Sequence, residues 1–316
     1  MQKQATGIGI FWCLVFVVLD AAQAVWFGGL LQRHDSFAIG FLSFGLATLL
    51  CLGLTARREP GQFAVAKRHP GALLGLNVSA VVAWLAYFAA IQRIEPAIAF
   101  MLFSGLIPIT TIAAAWAGFP EGQRPRNRLE AAGNALLCVG MVFLCVITLT
   151  GHSGFVRGGT ATALVGLAFA IVSGVAIAAM LLFSQRLDRH GLGPVAQFGV
   201  RFPLYLLAAA IGWWLGLDAK GPVGGGELLI AVAIGLLVLA FPIYAVQKAV
   251  SLVPSLTLAA IAATAPVLVF VLQAIEGRVD LAPATSVGLA VSFTGAMLAA
   301  WGAARGVRRT VAMPAR

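Results

Sequence analysis

Apolar runs long enough to cross a bilayer recur along the chain, and no other feature restricts the fold as strongly. Ten of them lie at roughly 8–30, 37–56, 70–92, 96–118, 129–150, 160–185, 194–217, 227–249, 254–276 and 283–304, here segments 1 to 10. Runs of this length with few charges read as transmembrane helices. Composition agrees: 60% of the residues are hydrophobic and only 10% charged, where a soluble domain carries about 25%. The connections, such as "PEGQRPRNRLE" and "GLDAKGPVGGGE", are short and hold most of the charge. None has room for a soluble domain, so one membrane domain over 1–316 is expected, an all-α protein embedded in lipid. Segment 1 is too long for a signal-peptide core and has no small-residue cleavage site near its end, so it is expected to stay attached.

The net charge of +10 is explained by where the cations fall, and it does not point to nucleic acid. With the amino terminus inside, fifteen Lys and Arg lie on the inner side: Lys3, Arg57, Arg58, Lys67, Arg68, Arg124, Arg126, Arg128, Arg186, Arg189, Lys248, Arg305, Arg308, Arg309 and Arg316. Five lie on the outer side, namely Arg33, Arg93, Arg157, Lys220 and Arg278, and Arg201 sits within a segment. That asymmetry follows the positive-inside bias and predicts both termini in the cytoplasm of a bacterial-type inner membrane.

The four cysteines, Cys13, Cys51, Cys138 and Cys145, all lie in apolar segments with no CxxC, and His34, His69, His152 and His190 lie in loops or at segment ends. Neither set has metal-ligand spacing, and no phosphate-cradling glycine loop occurs. No metal and no cofactor is expected.

Two segments carry prolines at the same spacing. "IEPAIAFMLFSGLIP" holds Pro96 and Pro108, and "LVPSLTLAAIAATAP", 158 residues later, holds Pro254 and Pro266. At that shift "FLSFGLA" meets "GVRFPLY" and aligns Phe44 with Phe202. At a shift of 155, Glu121-Gly122 meets Glu276-Gly277, and Gly133 and Gly140 meet Gly288 and Gly295. The chain therefore reads as two halves, 1–158 and 159–316, of five helices each. An odd number of helices per half inverts the second copy, which predicts an inverted-topology repeat. Pro96 and Pro254 open their helices, where a missing N–H costs nothing. Pro108 and Pro266 lie at membrane depth, are expected to kink their helices, and free the carbonyls of Ser104 and Ala262. Such backbone is tolerated in lipid only where protein or a wet cavity satisfies it, so the pair marks a candidate transport site; kinks serving packing alone are the alternative.

Five helices per half, with a small-residue helix that begins near proline and holds a later one, then Glu-Gly and a glycine-rich helix, resemble the EamA branch of the drug/metabolite transporter superfamily. The resemblance covers nearly the whole chain. It implies that segments 1–4 and 6–9 line a central cavity and that segments 5 and 10 lie at the periphery, where a homodimer can form. It also implies export of a small organic solute, such as an amino acid, an amino-acid-like or metallophore-type compound, or an amphipathic drug. Many relatives carry arginine in the second helix; here that position is Ser43, and only the second half keeps Arg201.

Polar residues at membrane depth supply the site candidates. Asp20, in "FVVLDAAQAVWF", lies near the middle of segment 1, where an acid costs roughly 2.5–3.5 kcal/mol on insertion scales. It is a candidate proton carrier, or a structural partner of Arg201 in "AQFGVRFPLY". Arg201 could otherwise snorkel to the interface or hold an anionic group of the substrate. Gln23 and Trp26 follow Asp20 within two turns; Asn77, Trp84, Tyr87 and Phe88 lie on segment 3; Ser104 lies beside Pro108; Tyr244, Gln247 and Lys248 end segment 8. These define the expected wall of a site for an amphipathic organic solute. Segment 10 shows Gly288, Ser292, Gly295, Ala299 and Gly302 as a stripe for close helix packing, within one protomer or between two. The expected function is secondary transport by alternating access, driven by proton coupling or exchange. A non-transporting scaffold or receptor is the alternative, and then an intramembrane enzyme, for which no histidine and no second aspartate lies in a segment.

Overall fold

The computed structural model describes residues 2–218, 220, 224–242, 245, 249, 252, 261–277 and 279–311. Segment 1 is α1 (Gln2–Ala22), a π-helical turn (Gln23–Phe27) and α2 (Gly28–Arg33). Then come α3 (Ser36–Arg58), the short α4 (Gln62–Arg68), α5 (Pro70–Ile91), α6 (Pro96–Trp116), α7 (Arg128–Leu149) and α8 (Thr160–Arg189). Segment 7 is split into α9 (Pro194–Arg201) and α10 (Pro203–Trp214); α11 (Gly225–Gly235) runs into a second π-helical turn (Leu236–Ala240), and α12 (Ala265–Glu276) and α13 (Pro283–Val311) follow. The fold is all-helical: among the described residues the only β-pairing is an isolated bridge between Ile94 and Val156. Among the described residues eight helices are long and apolar enough to cross a membrane, and they match segments 1 to 7 and 10. The described parts of segments 8 and 9 are the shorter apolar helices Gly225–Leu239 and Ala265–Glu276.

The helix starts follow local chemistry. Asp35 caps α3 by accepting from the Ala38 N–H at 2.9 Å, and Asn127 caps α7 by accepting from the Glu130 N–H at 3.0 Å. Pro70, Pro96, Pro194 and Pro203 occupy first turns, where no backbone donor is required.

The connections gather into two sets, each held by its own contacts. At one end Arg186 grips Glu121 through two hydrogen bonds of 2.9 and 2.6 Å, His69 stacks on His190, and the Gly193 N–H donates to Gln62. This end carries most of the Arg and Lys and is called the basic end below. The Arg186 guanidinium holds the Glu121 carboxyl below its ordinary range. At the opposite end Lys220 pairs with Asp218 at 2.8 Å and donates to the Leu31 carbonyl and to Gln92, while Asp218 accepts from the Ser36 N–H and hydroxyl, each at 2.7 Å. Beside it the buried Glu95 accepts from the Gly154 N–H at 2.9 Å, the Thr285 hydroxyl at 2.8 Å and the Gln273 amide.

Helix packing pairs segment 2 with 7, 4 with 9, and 5 with 10, and it also pairs 3 with 6 and 1 with 8. Phe44 and Phe202, aligned by the internal repeat, stack on each other with ring centroids 4.4 Å apart at the centre of the core. The small-residue stripe of α13 closes against α7 inside the protomer. A Cβ on Gly133 would lie 2.2 Å from the Ala299 nitrogen, and one on Gly295 would lie 2.4 Å from that of Leu137. The two Glu-Gly pairs have different grounds: Gly277 takes a left-handed φ of 73° to end α12, whereas a Cβ on Gly122 would meet the Ala115 backbone at 2.3 Å.

The two repeated prolines sit in different backbone settings. Helix α6 runs unbroken through Pro108, whereas segment 9 is interrupted by a turn at Ala263–Thr264 and Pro266 opens a new helix. The clearest discontinuity lies elsewhere, at Pro203. A continuous helix would bond the Leu204 N–H to the Val200 carbonyl; here the Asn77 side chain takes both places. Its Nδ2 donates to the Val200 carbonyl at 2.8 Å and its Oδ1 accepts from the Leu204 N–H at 3.3 Å. One amide of segment 3 thus bridges the pair of backbone groups that the break in segment 7 separates.

Replacing Asn77 with leucine should orphan both groups, at about 1–3 kcal/mol each. We expect a lower melting temperature for Asn77→Leu in detergent, with partial recovery on adding Pro203→Ala, which lets the helix close. Equal stability of Asn77→Leu and wild type would contradict this role.

Candidate functional site

A cavity of about 560 Å³ lies within the helix bundle. Segment 1 supplies Phe16, Asp20 and Gln23; α5 supplies Trp84; α6 supplies Phe103 and Ser104; α8 supplies Met180, Ser184, Gln185 and Asp188; α9 supplies Gln197 and Arg201. Leu239, Pro242, Ala262 and Ala265 complete the wall. The lining runs from Asp20, in the middle of segment 1, to Asp188, in the last turn of α8 beside Arg186 and Arg189, and Pro194, at the start of α9, both at the basic end. At the opposite end the Lys220 and Glu95 networks tie the connections together.

Local structure places the two charged groups. The π-helical turn begins three residues after Asp20, and insertions of this kind free backbone bonds and re-aim side chains. The break at Pro203 ends α9 at Arg201. Arg201 Nη2 donates to the Ser184 hydroxyl at 2.9 Å, and its Nε has no partner. Among the described residues no ion pair joins Asp20 to Arg201. The pairing weighed from sequence is therefore absent, and the cavity wall presents an acid and a base that do not neutralise each other by contact. Trp84 adds an aromatic surface and an indole N–H without a partner. The Ser104 hydroxyl donates to the Phe100 carbonyl at 2.9 Å, leaving acceptor capacity.

Of the residues expected at the site, Asp20, Gln23, Trp84, Ser104 and Arg201 come together here. Trp26 does not join them; within the π-helical turn it faces outward, 47% exposed. Asn77 has its amide committed to the backbone of segment 7. Tyr87 and Phe88 are buried behind the wall, Tyr87 packed on Phe103 at 4.5 Å and Phe88 on Trp84 at 5.7 Å. Tyr244, Gln247 and Lys248 lie outside the described residues, as does Pro254. Ser43 is buried and packs where a Cβ on Gly235 would sit. Four polar contributors were not singled out beforehand: Ser184, Gln185, Asp188 and Gln197. Gln197 was discoverable, because it precedes Arg201 by one helical turn. Among the described residues no cluster of His, Cys, Asp and Glu could hold a metal ion.

Comparison with known proteins gives three results. Residues 7–146 match the model of the EamA-like transporter family. A solved structure, titled only as the crystal structure of a protein, is similar in fold at 19% identity and a TM-score of 0.61, covering 99% of this chain and 100% of its own. No curated protein matches the sequence.

Because Asp20 and Arg201 do not touch, their effects on stability should be independent. In a double-mutant cycle of Asp20→Asn and Arg201→Gln, read by thermal unfolding, we expect additivity within about 0.5 kcal/mol. A coupling above about 1 kcal/mol would show that they are paired.

Proposed function

We propose, on the premise that residues 7–146 belong to the EamA-like transporter family and that the chain is a multi-pass membrane transporter of the drug/metabolite type, that it exports a small zwitterionic metabolite by alternating access. The observation that carries this reading is the cavity that presents Asp20 and Arg201 unpaired. A charge at membrane depth is costly and is retained where it serves a pathway. A carboxylate and a guanidinium on one wall fit the ammonium and carboxylate of an amino-acid-like solute, with Trp84, Phe103 and Met180 for its apolar part. A neutral drug would leave both charges unanswered. Proton coupling through Asp20, or exchange of one solute for another, drives the cycle, and no catalytic activity is assigned.

The same reading makes the molecule ten helices in two inverted halves, 1–158 and 159–316, with both termini in the cytoplasm of a bacterial-type inner membrane. The packing supports it, since exchanging segment n with n + 5 maps every pair named above onto another named pair or onto itself. Phe44 against Phe202 then lies on the pseudo-two-fold axis. The basic end is the cytoplasmic one. The cavity reaches toward it while the Glu95 and Lys220 networks close the other side, which is an inward-facing state. A homodimer through α7 and α13 would use their outward faces, such as Val139, Val142 and Val287, because the glycine faces are spent on each other.

Counterflow of labelled neutral amino acids in proteoliposomes tests the substrate class. We expect exchange in wild type and a loss of at least tenfold in both Asp20→Asn and Arg201→Gln. Exchange of a neutral amphipath undiminished in both variants would contradict it.

The outer network adds a pH effect. Burial pushes the Glu95 carboxyl above its ordinary range, against the hydrogen bonds from Gly154, Thr285 and Gln273. Opening this end would hydrate Glu95 and return it toward its ordinary value, so the closed arrangement binds a proton more tightly. Its gain is complete below the ordinary value and is lost as pH rises through the raised one. Lowering the pH should therefore reduce labelling of a cysteine placed at Ser153 from the outer side, and Glu95→Gln should remove that dependence. Greater labelling at low pH would refute the gate.

A further inference from the structure

A second cavity, of about 440 Å³, lies between α6, α7, α12 and α13, behind the wall of the first. Ser104 and Ala262 line both cavities, and Pro108 and Pro266 line this one. Its surface is mostly apolar, and the unmet hydrogen-bonding capacity on its polar side chains is chiefly acceptor. Asn134 is 93% buried; its Nδ2 donates to the Glu130 carbonyl at 2.8 Å, which leaves Oδ1 without a partner. The Glu130 carboxylate accepts the Arg126 N–H at 2.7 Å, and among the described residues no cation pairs with it. The Ser104 hydroxyl has spent its hydrogen on the Phe100 carbonyl. The two prolines supply no N–H to the Ser104 and Ala262 carbonyls. A buried acceptor with no donor costs free energy until something supplies one.

We propose that this cavity is a second binding site, for an amphipathic primary amine entering from solution. Its ammonium would sit between the Glu130 carboxylate and Asn134 Oδ1, and its apolar body would fill the space against Pro108 and Pro266. The charge selects a cation, and the unsatisfied Asn134 Oδ1 selects one that donates hydrogen bonds. The volume suits one drug-sized molecule and not the paired acyl chains of a phospholipid, each of which spans half of a core about 30 Å thick. The site stands independently of the transported substrate, because neither Asp20 nor Arg201 contributes to it.

The test is calorimetric titration of the full-length protein in nanodiscs free of phosphatidylethanolamine, with 4-phenylbutylamine as the probe. Wild type and Asp20→Asn should bind it with equal affinity, and 4-phenylbutyrate should not bind. Glu130→Gln keeps the acceptor for the Arg126 N–H and should weaken binding at least tenfold. Asn134→Leu removes an unsatisfied acceptor, so it should fold as well as wild type and also bind the amine more weakly. Unchanged affinity in Glu130→Gln or in Asn134→Leu would overturn the proposal. So would loss of binding in Asp20→Asn, which would place the amine in the first cavity. Abolition of binding by phosphatidylethanolamine in the nanodisc would assign the site to a lipid headgroup and overturn the soluble amine.

Discussion

Within hydrocarbon no water completes a broken backbone hydrogen bond, so each interruption of a helix must be answered by another part of the protein. This constraint organises the molecule around Asn77. Its carboxamide offers a donor and an acceptor in one plane, which is what the separated Val200 carbonyl and Leu204 N–H require. With that repair in place segment 7 can end one helix at Arg201 and begin the next at Pro203, and the guanidinium reaches the cavity. The interruption before Pro266 sits on the cavity wall as well, through Ala262 and Ala265. Both interruptions therefore adjoin the cavity, through Arg201 on one side and Ala262 and Ala265 on the other.

The remaining polar groups divide by end. The opposite end is tied across segments 4, 9 and 10 by one carboxylate, Glu95, and across segments 1, 2 and 3 by Lys220 and Asp218. The basic end has the bidentate Arg186–Glu121 pair and the stacked His69–His190 rings, and there the cavity lining reaches Asp188. This asymmetry underlies the inward-facing reading. The peripheral pair α7 and α13 packs backbone against backbone through glycine, a rigid frame beside the helices that line the cavity.

Much of the fold was legible in sequence because apolar length and small-residue spacing are local signals. The glycine stripe of segment 10 reads as a close-packing seam, which the structure closes on α7, and the proline spacing aligned Phe44 with Phe202, which proved to be in contact. The site was less legible, for identifiable reasons. Asn77 reads as a ligand because a polar side chain at membrane depth does not announce that its partners are backbone atoms 123 residues away. Trp26 was assigned to the wall because a wider π-helical turn leaves no mark in the residue pattern. Asp20 and Arg201 were weighed as a pair because opposite charges in lipid usually neutralise each other; the structure has both line a cavity that hydropathy does not reveal, with no ion pair between them. Pro203, unlike Pro108 and Pro266, lies outside the repeated proline spacing, so the repeat does not mark it.

The account rests most on the cavity being open to the basic face and closed to the other. The direct measurement places one cysteine at Met180, on the cavity wall, in a background where Cys13, Cys51, Cys138 and Cys145 are replaced. A membrane-impermeant thiol reagent is then applied from each side of sealed vesicles. The account predicts rapid modification from the cytoplasmic side and little from outside, with the outer reaction appearing when Glu95→Ala loosens the far network. Modification from the outer side alone in the otherwise unaltered protein, or no outer reaction after Glu95→Ala, would contradict it.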